Sequence, residues 1–474
     1  MIKRFLSLIK KEDKNDWQKV EYPPTLSIKL LGFMPLRILL LIVLIFLQII
    51  ITVNISDNIH SNIGQIILTI IFFYMIYKTI VYYKRFQGMK QEGKNKNIEK
   101  ALQYLIHSLK LYEEETFGVG SDKEKRIVRA IRMYYRVDDK KIFVKILKTG
   151  DKYTQISSTL ATNLESSLSC KLYSFYETIN YCLYTFNKQE LKQFVFSKTI
   201  PLDKTFFENI PMDMIYLTNT QSFSLKKNTN MGIFGRTGTG KTVALQWYLY
   251  NVVAKGCATT DNTFLSIVDG KGADLFSLGE ILKQELGENV RLGQTGNSLA
   301  KLSREFVDVM NARFEVIKNS NKLNADAYDL GMIPNFLFID ELASIKDSCG
   351  LDKKGKELWN EILRNLGLIA KKGRQASCHL IISTQDPNAE NINVELRSQI
   401  SSVIYLGNPP SERLKMAFSM CELKNIPTIS DRKGEALFYA DGNNMSEPEI
   451  TIVPFVDVKT KKDFIDIIRR IKPT

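Results

Sequence analysis

The stretch that decides the fold is Gly235-Arg236-Thr237-Gly238-Thr239-Gly240-Lys241-Thr242. The apolar run Met231–Phe234 precedes it and a helix-like run, Val243–Ala254, follows it. Strand, glycine-rich turn and helix in that order form a phosphate cradle. The glycines let backbone N–H groups curl around an anion, and the helix N-terminus adds partial positive charge. In the pattern G-x-x-x-x-G-K-T the lysine, Lys241, is expected to reach the β- and γ-phosphates of ATP, and the Thr242 hydroxyl to bind Mg²⁺.

Such a cradle needs an acid at the end of another strand. Asn335-Phe-Leu-Phe-Ile-Asp340-Glu341 supplies one, its four apolar residues reading as a strand buried on both faces. Asp340 is expected to hold Mg²⁺ through water and Glu341 to polarise the attacking water. A third apolar strand, His379–Ser383, ends in Thr384-Gln385. A polar side chain there faces the ligand crevice of an α/β sheet, so Gln385 is a candidate sensor of the γ-phosphate.

Working outward, 474 residues suggest two or three domains, and 24% charged residues with 44% apolar ones suit a folded chain. Six dispersed cysteines without a C-x-x-C pair argue against a disulfide framework and a zinc site. The formal charge is +14, but residues 1–100 hold 15 Lys and Arg against 7 Asp and Glu. Most of the excess therefore flanks two apolar stretches, 36–53 and 63–83, each near the ~20 residues that span a bilayer. No Lys or Arg lies between them, at 54–62, whereas eight occur up to and including Arg37 and six more between Lys84 and Lys100. The positive-inside rule then predicts a two-span, multi-pass cell-membrane protein with both termini cytoplasmic. The expected organisation is a cytoplasmic segment (1–35), two transmembrane helices (36–83), a small α+β membrane-proximal domain (91–210) and an α/β motor (211–474).

Within 91–210, Ile98–Tyr112 has helical spacing and Lys141–Lys148 alternates like a half-buried strand. A second helix is expected over Gln155–Leu168, with strands at Tyr181–Phe186 and Gln193–Phe196. The aromatic stripe Tyr173, Phe175, Tyr176, Tyr181, Tyr184 and Phe186 is expected in the core rather than on a base-stacking surface.

Taken in order, GRTGTGKT (235–242), FLFIDELA (336–343), KKGRQASCHLIISTQDP (371–387) and GEALFYADG (434–442) resemble the FtsK/SpoIIIE family of DNA translocases. KIFVKILKTGDKYTQISSTLATNLESSLS (141–169) is similar to the small domain that precedes the family's motor. The resemblance implies a RecA-like P-loop ATPase assembled as a ring, a homo-oligomer expected to be a hexamer, with DNA in its pore. It also implies an arginine acting on a neighbouring subunit's site, for which Arg374 and Arg397 are the candidates. Asp386 departs from the family pattern, standing where arginine is common. The segment Ser344–Glu357 contains Lys346, Lys353, Lys354 and Lys356 beside two glycines. It is expected as a loop, either touching DNA phosphates or merely solvated. The short chain after Phe455 and the two spans resemble the coupling proteins of Gram-positive conjugative plasmids and transposons. DNA delivered with a relaxase and secretion-channel proteins are then the expected partners. A partitioning translocase, a protein-secretion ATPase and a nucleotide switch remain the alternatives.

Overall fold

The computed structural model describes residues 17–23, 97–117, 124–218, 221–388 and 392–473. The expected spans 36–53 and 63–83 lie outside the described residues. Among those described, no helix is long and apolar enough to cross a membrane. The chain divides into two units, residues 1–137 with 166–169, and residues 138–165 with 170–474. The segment expected as one domain, 91–210, is thus shared between them.

In the first unit a helix over 97–108 buries Leu102, Leu105 and Ile106. Strands Tyr112–Phe117 and Glu124–Ala130 pair antiparallel, and Gln18–Lys19 pairs antiparallel with Met133–Val137.

The second unit opens with strands β1 (Lys141–Leu147), β2 (Lys171–Glu177) and β3 (Tyr181–Asn187), β3 pairing antiparallel with both others. Strict alternation along β1 buries Ile142, Val144 and Ile146. Phe175, Tyr184 and Phe186 are buried as expected, while Tyr176 is exposed. The single helix expected over Gln155–Leu168 is instead two, Tyr153–Ile156 and Ala161–Leu168. The break has a local cause: the hydroxyls of Ser157, Ser158 and Thr159 each donate to the carbonyl three residues back. Side chains that offer the backbone this alternative end helices.

The rest of this unit is an eight-stranded sheet between two helical layers. In chain order its elements are β4 (Met231–Gly235), α1 (Lys241–Ala254), β5 (Leu265–Asp269), α2 (Asp274–Leu286), β6 (Val290–Gly293) and α3 (Gly296–Lys318). Next come β7 (Asn335–Asp340), α4 (Leu342–Ser348), α5 (Lys353–Lys372), β8 (Cys378–Thr384) and β9 (Ser402–Leu406). The last are β10 (Glu435–Ala440), β11 (Glu449–Ile452) and α6 (Lys461–Ile471). The sheet order is β6-β5-β7-β8-β4-β9-β10-β11. Neighbours from β6 to β9 are parallel, and β10 and β11 join antiparallel at one edge.

Period-2 alternation explains why the central strands carry apolar residues on both faces. Along β7, Phe336 and Phe338 enter one core with Ile267 and Ile233, beneath α1, α2 and α6. Leu337 and Ile339 enter the other with Leu380 and Ile382, beneath α3 and α5. A sheet covered on both faces leaves its strand ends as the place for polar chemistry, and in parallel sheets ligands gather outside the carboxyl ends. Register aligns those ends: Asp269 opposite Asp340, Asp340 opposite Ser383, and Phe234 opposite Thr384.

The segment Ser344–Glu357, expected as a loop, is mostly helical. Lys346 lies on α4, and Lys353, Lys354 and Lys356 lie in the first turn of α5, all four exposed. Asp352 caps α5 by accepting the Gly355 N–H at 2.9 Å. The apolar residues Ile362, Leu366 and Ile369 recur every three or four positions and seat the helix in the core. That cap and stripe outweigh Gly355 in the first turn.

Candidate nucleotide site

The eight residues 235–242 form the turn from β4 into α1. Gly240 sits at the N-cap with φ +106°. A side chain there would be strained, and its Cβ would lie 2.8 Å from the Gly434 nitrogen. That close approach braces the turn, since the Gly434 N–H donates to the Thr239 carbonyl at 3.0 Å. The Thr239 hydroxyl donates to the Arg236 carbonyl at 2.8 Å. Arg236, Thr237 and Gly238 at the crest are exposed.

Lys241 turns from the start of α1 toward the end of β7, its Nζ 3.2 Å from Asp340 Oδ1 and 3.6 Å from Glu341 Oε2. The sequence predicted all three residues, and the structure brings them together. Glu341 is buried and adopts a left-handed backbone, φ +54°, which is uncommon for a non-glycine residue. Its carboxylate has further partners that sequence reasoning missed. Lys271, in the loop after β5, places Nζ 2.8 Å from Glu341 Oε2, and the Thr384 hydroxyl donates to Oε1 at 3.2 Å. Burial pushes the Glu341 carboxyl up, but Lys271, Lys241 and Thr384 outweigh it and hold it below the usual range. For Asp340 the balance goes the other way: burial raises its pKa despite Lys241.

Asp340 Oδ1 is buried and receives no well-directed hydrogen bond, although the Lys241 ammonium is nearby. A carboxylate oxygen with unspent lone pairs and a threonine hydroxyl at the phosphate loop are hard oxygen donors, so the residues fit Mg²⁺. The Thr242 hydroxyl donates to Asp274 Oδ2 at 3.2 Å, an acid that sequence reasoning also missed. The one signal for Lys271 and Asp274 was Asp269-Gly-Lys271-Gly-Ala-Asp274 at the end of a mostly apolar run.

Gln385 directly follows β8 and is half-buried at this edge. Asp386 pairs with Arg413 at 3.2 Å. Arg397 donates to the Pro387 carbonyl at 3.1 Å. Arg374 is exposed just before β8 begins, the full length of that strand from this chain's own Lys241. Neither arginine joins the Lys241–Asp340–Glu341 cluster.

Residues 206–407 match the model of the FtsK/SpoIIIE family. The FtsK domain-containing protein YdcQ of Bacillus subtilis is 28% identical over 311 residues, 64% of this chain and 60% of that protein. A DNA translocase FtsK of Streptococcus pyogenes is 23% identical over 253 residues, 50% of this chain and 28% of that one. The chain therefore spans less than two thirds of the length of either relative. Among solved structures, a monomer form of the pCW3 conjugation coupling protein TcpA with ATPγS is 17% identical, covering 78% of this chain and 98% of that one at a TM-score of 0.49. The cytoplasmic domain of the Thermomonospora curvata type VII secretion ATPase EccC is 14% identical, covering 56% and 31% at 0.40. With the phosphate loop, the acidic pair and the family match in one place, this chain carries an FtsK/SpoIIIE-family P-loop ATPase domain over residues 206–407.

Proposed function

We propose that this chain is an ATP-driven DNA translocase, anchored in the cell membrane through residues 36–53 and 63–83. The observation that carries the reading is Lys241 facing Asp340 and Glu341 at the carboxyl edge of the sheet, inside an FtsK/SpoIIIE-family domain. In this account the 235–242 backbone cradles the phosphates, and Lys241 leaves the acids for the β- and γ-phosphates when ATP enters. Thr242 and, through water, Asp340 would hold Mg²⁺, whose charge offsets that of the phosphate oxygens. Glu341 orients and polarises the attacking water, and Gln385 senses the γ-phosphate. Arg374 or Arg397 acts on a neighbouring subunit in a ring of six. The exposed side chains of Lys346, Lys353, Lys354 and Lys356 touch the phosphate backbone of DNA, a contact that carries no sequence information.

The finer reading is the coupling protein of a conjugative DNA-transfer system, receiving DNA with a relaxase and passing it to channel proteins. It is supported by the sequence resemblance and by the basic-flanked apolar pair before the motor. Full-length protein in detergent tests the translocase reading: its ATP hydrolysis should rise several-fold with single- or double-stranded DNA. Hydrolysis unaffected by either DNA contradicts it. The conjugative role predicts that Lys241→Ala in donor cells abolishes transfer while chromosome partitioning stays normal. Normal transfer, or failed partitioning, points to the alternative roles.

A further inference from the structure

The loop from β5 to α2 is held by the last residue of β5. Asp269 is buried, and its carboxylate accepts the N–H groups of Lys271 at 2.9 Å, Ala273 at 3.0 Å and Phe276 at 3.1 Å. Two charge-assisted bonds to the loop and a third to the first turn of α2 fix the loop backbone, and so fix where the Lys271 side chain begins. The next residue, Gly270, packs on the turn that carries Glu341. A Cβ there would lie 2.8 Å from both the Glu341 carbonyl oxygen and Ile345 Cγ1.

From this anchored start Lys271 reaches Glu341 Oε2 at 2.8 Å, while Thr384 holds Oε1 at 3.2 Å. The terminal torsion of a glutamate is broad and soft, so a carboxylate plane is fixed only by partners at both oxygens. Here the two partners come from different strand ends, β5 and β8, on either side of β7. Lys241 also approaches Oε2, at 3.6 Å, but the proposed mechanism sends it to the phosphates. Lys271 lies on the β5–α2 loop and not among residues 235–242 that form the phosphate cradle.

We propose that Lys271 is a positioning residue for ATP hydrolysis. It keeps the Glu341 carboxylate aimed at the attacking water after Lys241 has turned to the nucleotide. The inference rests on the role proposed above for Glu341.

The test compares wild type, Lys271→Met, Lys271→Arg, Glu341→Gln and the double variant Lys271→Met/Glu341→Gln in the full-length protein. Steady-state hydrolysis is measured beside the Kd of a fluorescent ATP analogue. Misaiming a reacting group by about 1 Å costs on the order of 100-fold, so Lys271→Met should lower kcat by roughly 10- to 100-fold. KM and Kd should stay within about twofold, because the phosphate cradle is untouched. Lys271→Arg should recover part of kcat, and Lys271→Met should add nothing in the Glu341→Gln background. The proposal is overturned by a Lys271→Met enzyme with normal kcat, by a Kd that rises as far as kcat falls, or by additive losses in the double variant. A Glu341→Gln enzyme that still turns over ATP normally removes the role of Glu341 and this inference with it. A normal Lys271→Met beside an inactive Glu341→Gln removes this inference alone.

Discussion

A single methyl group at Gly270 should damage both stability and turnover while leaving ATP binding intact. The Cβ of Gly270→Ala would stand 2.8 Å from the Glu341 carbonyl oxygen, 2.8 Å from Ile345 Cγ1 and 3.1 Å from the Ile345 nitrogen. Ordinary contact begins near 3.4 Å, so the shortfall is about 0.6 Å at the tightest neighbours. Two of the three neighbours are backbone atoms of the turn that carries Glu341. Relief must therefore move either that turn or the loop that carries Lys271. Overpacking of this kind costs about 1–3 kcal/mol. At about 2–4 °C per kcal/mol for a domain of this size, the melting temperature should fall by about 2–12 °C. A displacement of ~0.6 Å between Glu341 and its supports should lower kcat on the order of tenfold. The Kd for ATP should change far less than kcat, because the three tight neighbours of the new methyl belong to Glu341 and Ile345 and none to the 235–242 loop. Gly367→Ala is the control: no atom lies within 4 Å of its Cβ on α5, and alanine favours helix by up to about 1 kcal/mol. Thermal shift, nucleotide binding and hydrolysis measured on both variants decide the matter. A Gly270→Ala protein that melts and turns over like wild type refutes the close packing of loop and turn.

Lys241→Ala should lose ATP binding, whereas Glu341→Gln should keep it and lose roughly 100- to 10,000-fold in kcat; equal binding loss in both contradicts the assigned roles. His379, whose Nδ1 faces the Thr229 carbonyl at 3.0 Å and whose Nε2 meets the Tyr328 hydroxyl at 2.6 Å, is driven down to about 3 by burial. Its folded pKa lies below the unfolded 6.5, so the fold keeps this contribution above pH 6.5 and loses about 1.4 kcal/mol per pH unit between 6.5 and about 3. Urea unfolding should then show wild type losing about 2 kcal/mol more than His379→Gln between pH 7 and pH 5, and equal losses contradict the buried neutral imidazole. Replacing Lys353, Lys354 and Lys356 together by alanine should weaken DNA binding and flatten the slope of log affinity against log salt by about 2–3. An unchanged slope places the DNA elsewhere.

The phosphate loop and the acidic strand were legible because each is written in one contiguous run: 231–254 and 335–341 specify strand, turn and side chain together. Lys271 and Thr384 were not, since what they do depends on register. Asp269 lies opposite Asp340, and Asp340 opposite Ser383, only once the order β5-β7-β8 is set. Within one strand, Leu265–Asp269 has nearly the same form as Phe336–Asp340, a run that is apolar but for Ser266 and ends in an acid. No local pattern says that the first acid holds a loop and the second faces Lys241. The segment 344–357 failed for the opposite reason: lysines and glycines suggested a loop, while the Asp352 cap and a stripe extending to Ile369 made a helix. The break at Ser157–Thr159 was written in three successive hydroxyl residues that compete for helical carbonyls.

The central claim is that hydrolysis at Lys241, Asp340 and Glu341 drives movement along DNA, and a displacement assay tests it most directly. Full-length protein is mixed with duplex bearing a third strand, or with single-stranded DNA ending in a streptavidin block, with and without ATP. The account predicts ATP-dependent release from at least one substrate by wild type and none by Glu341→Gln. Rapid ATP hydrolysis with release from neither substrate would contradict it.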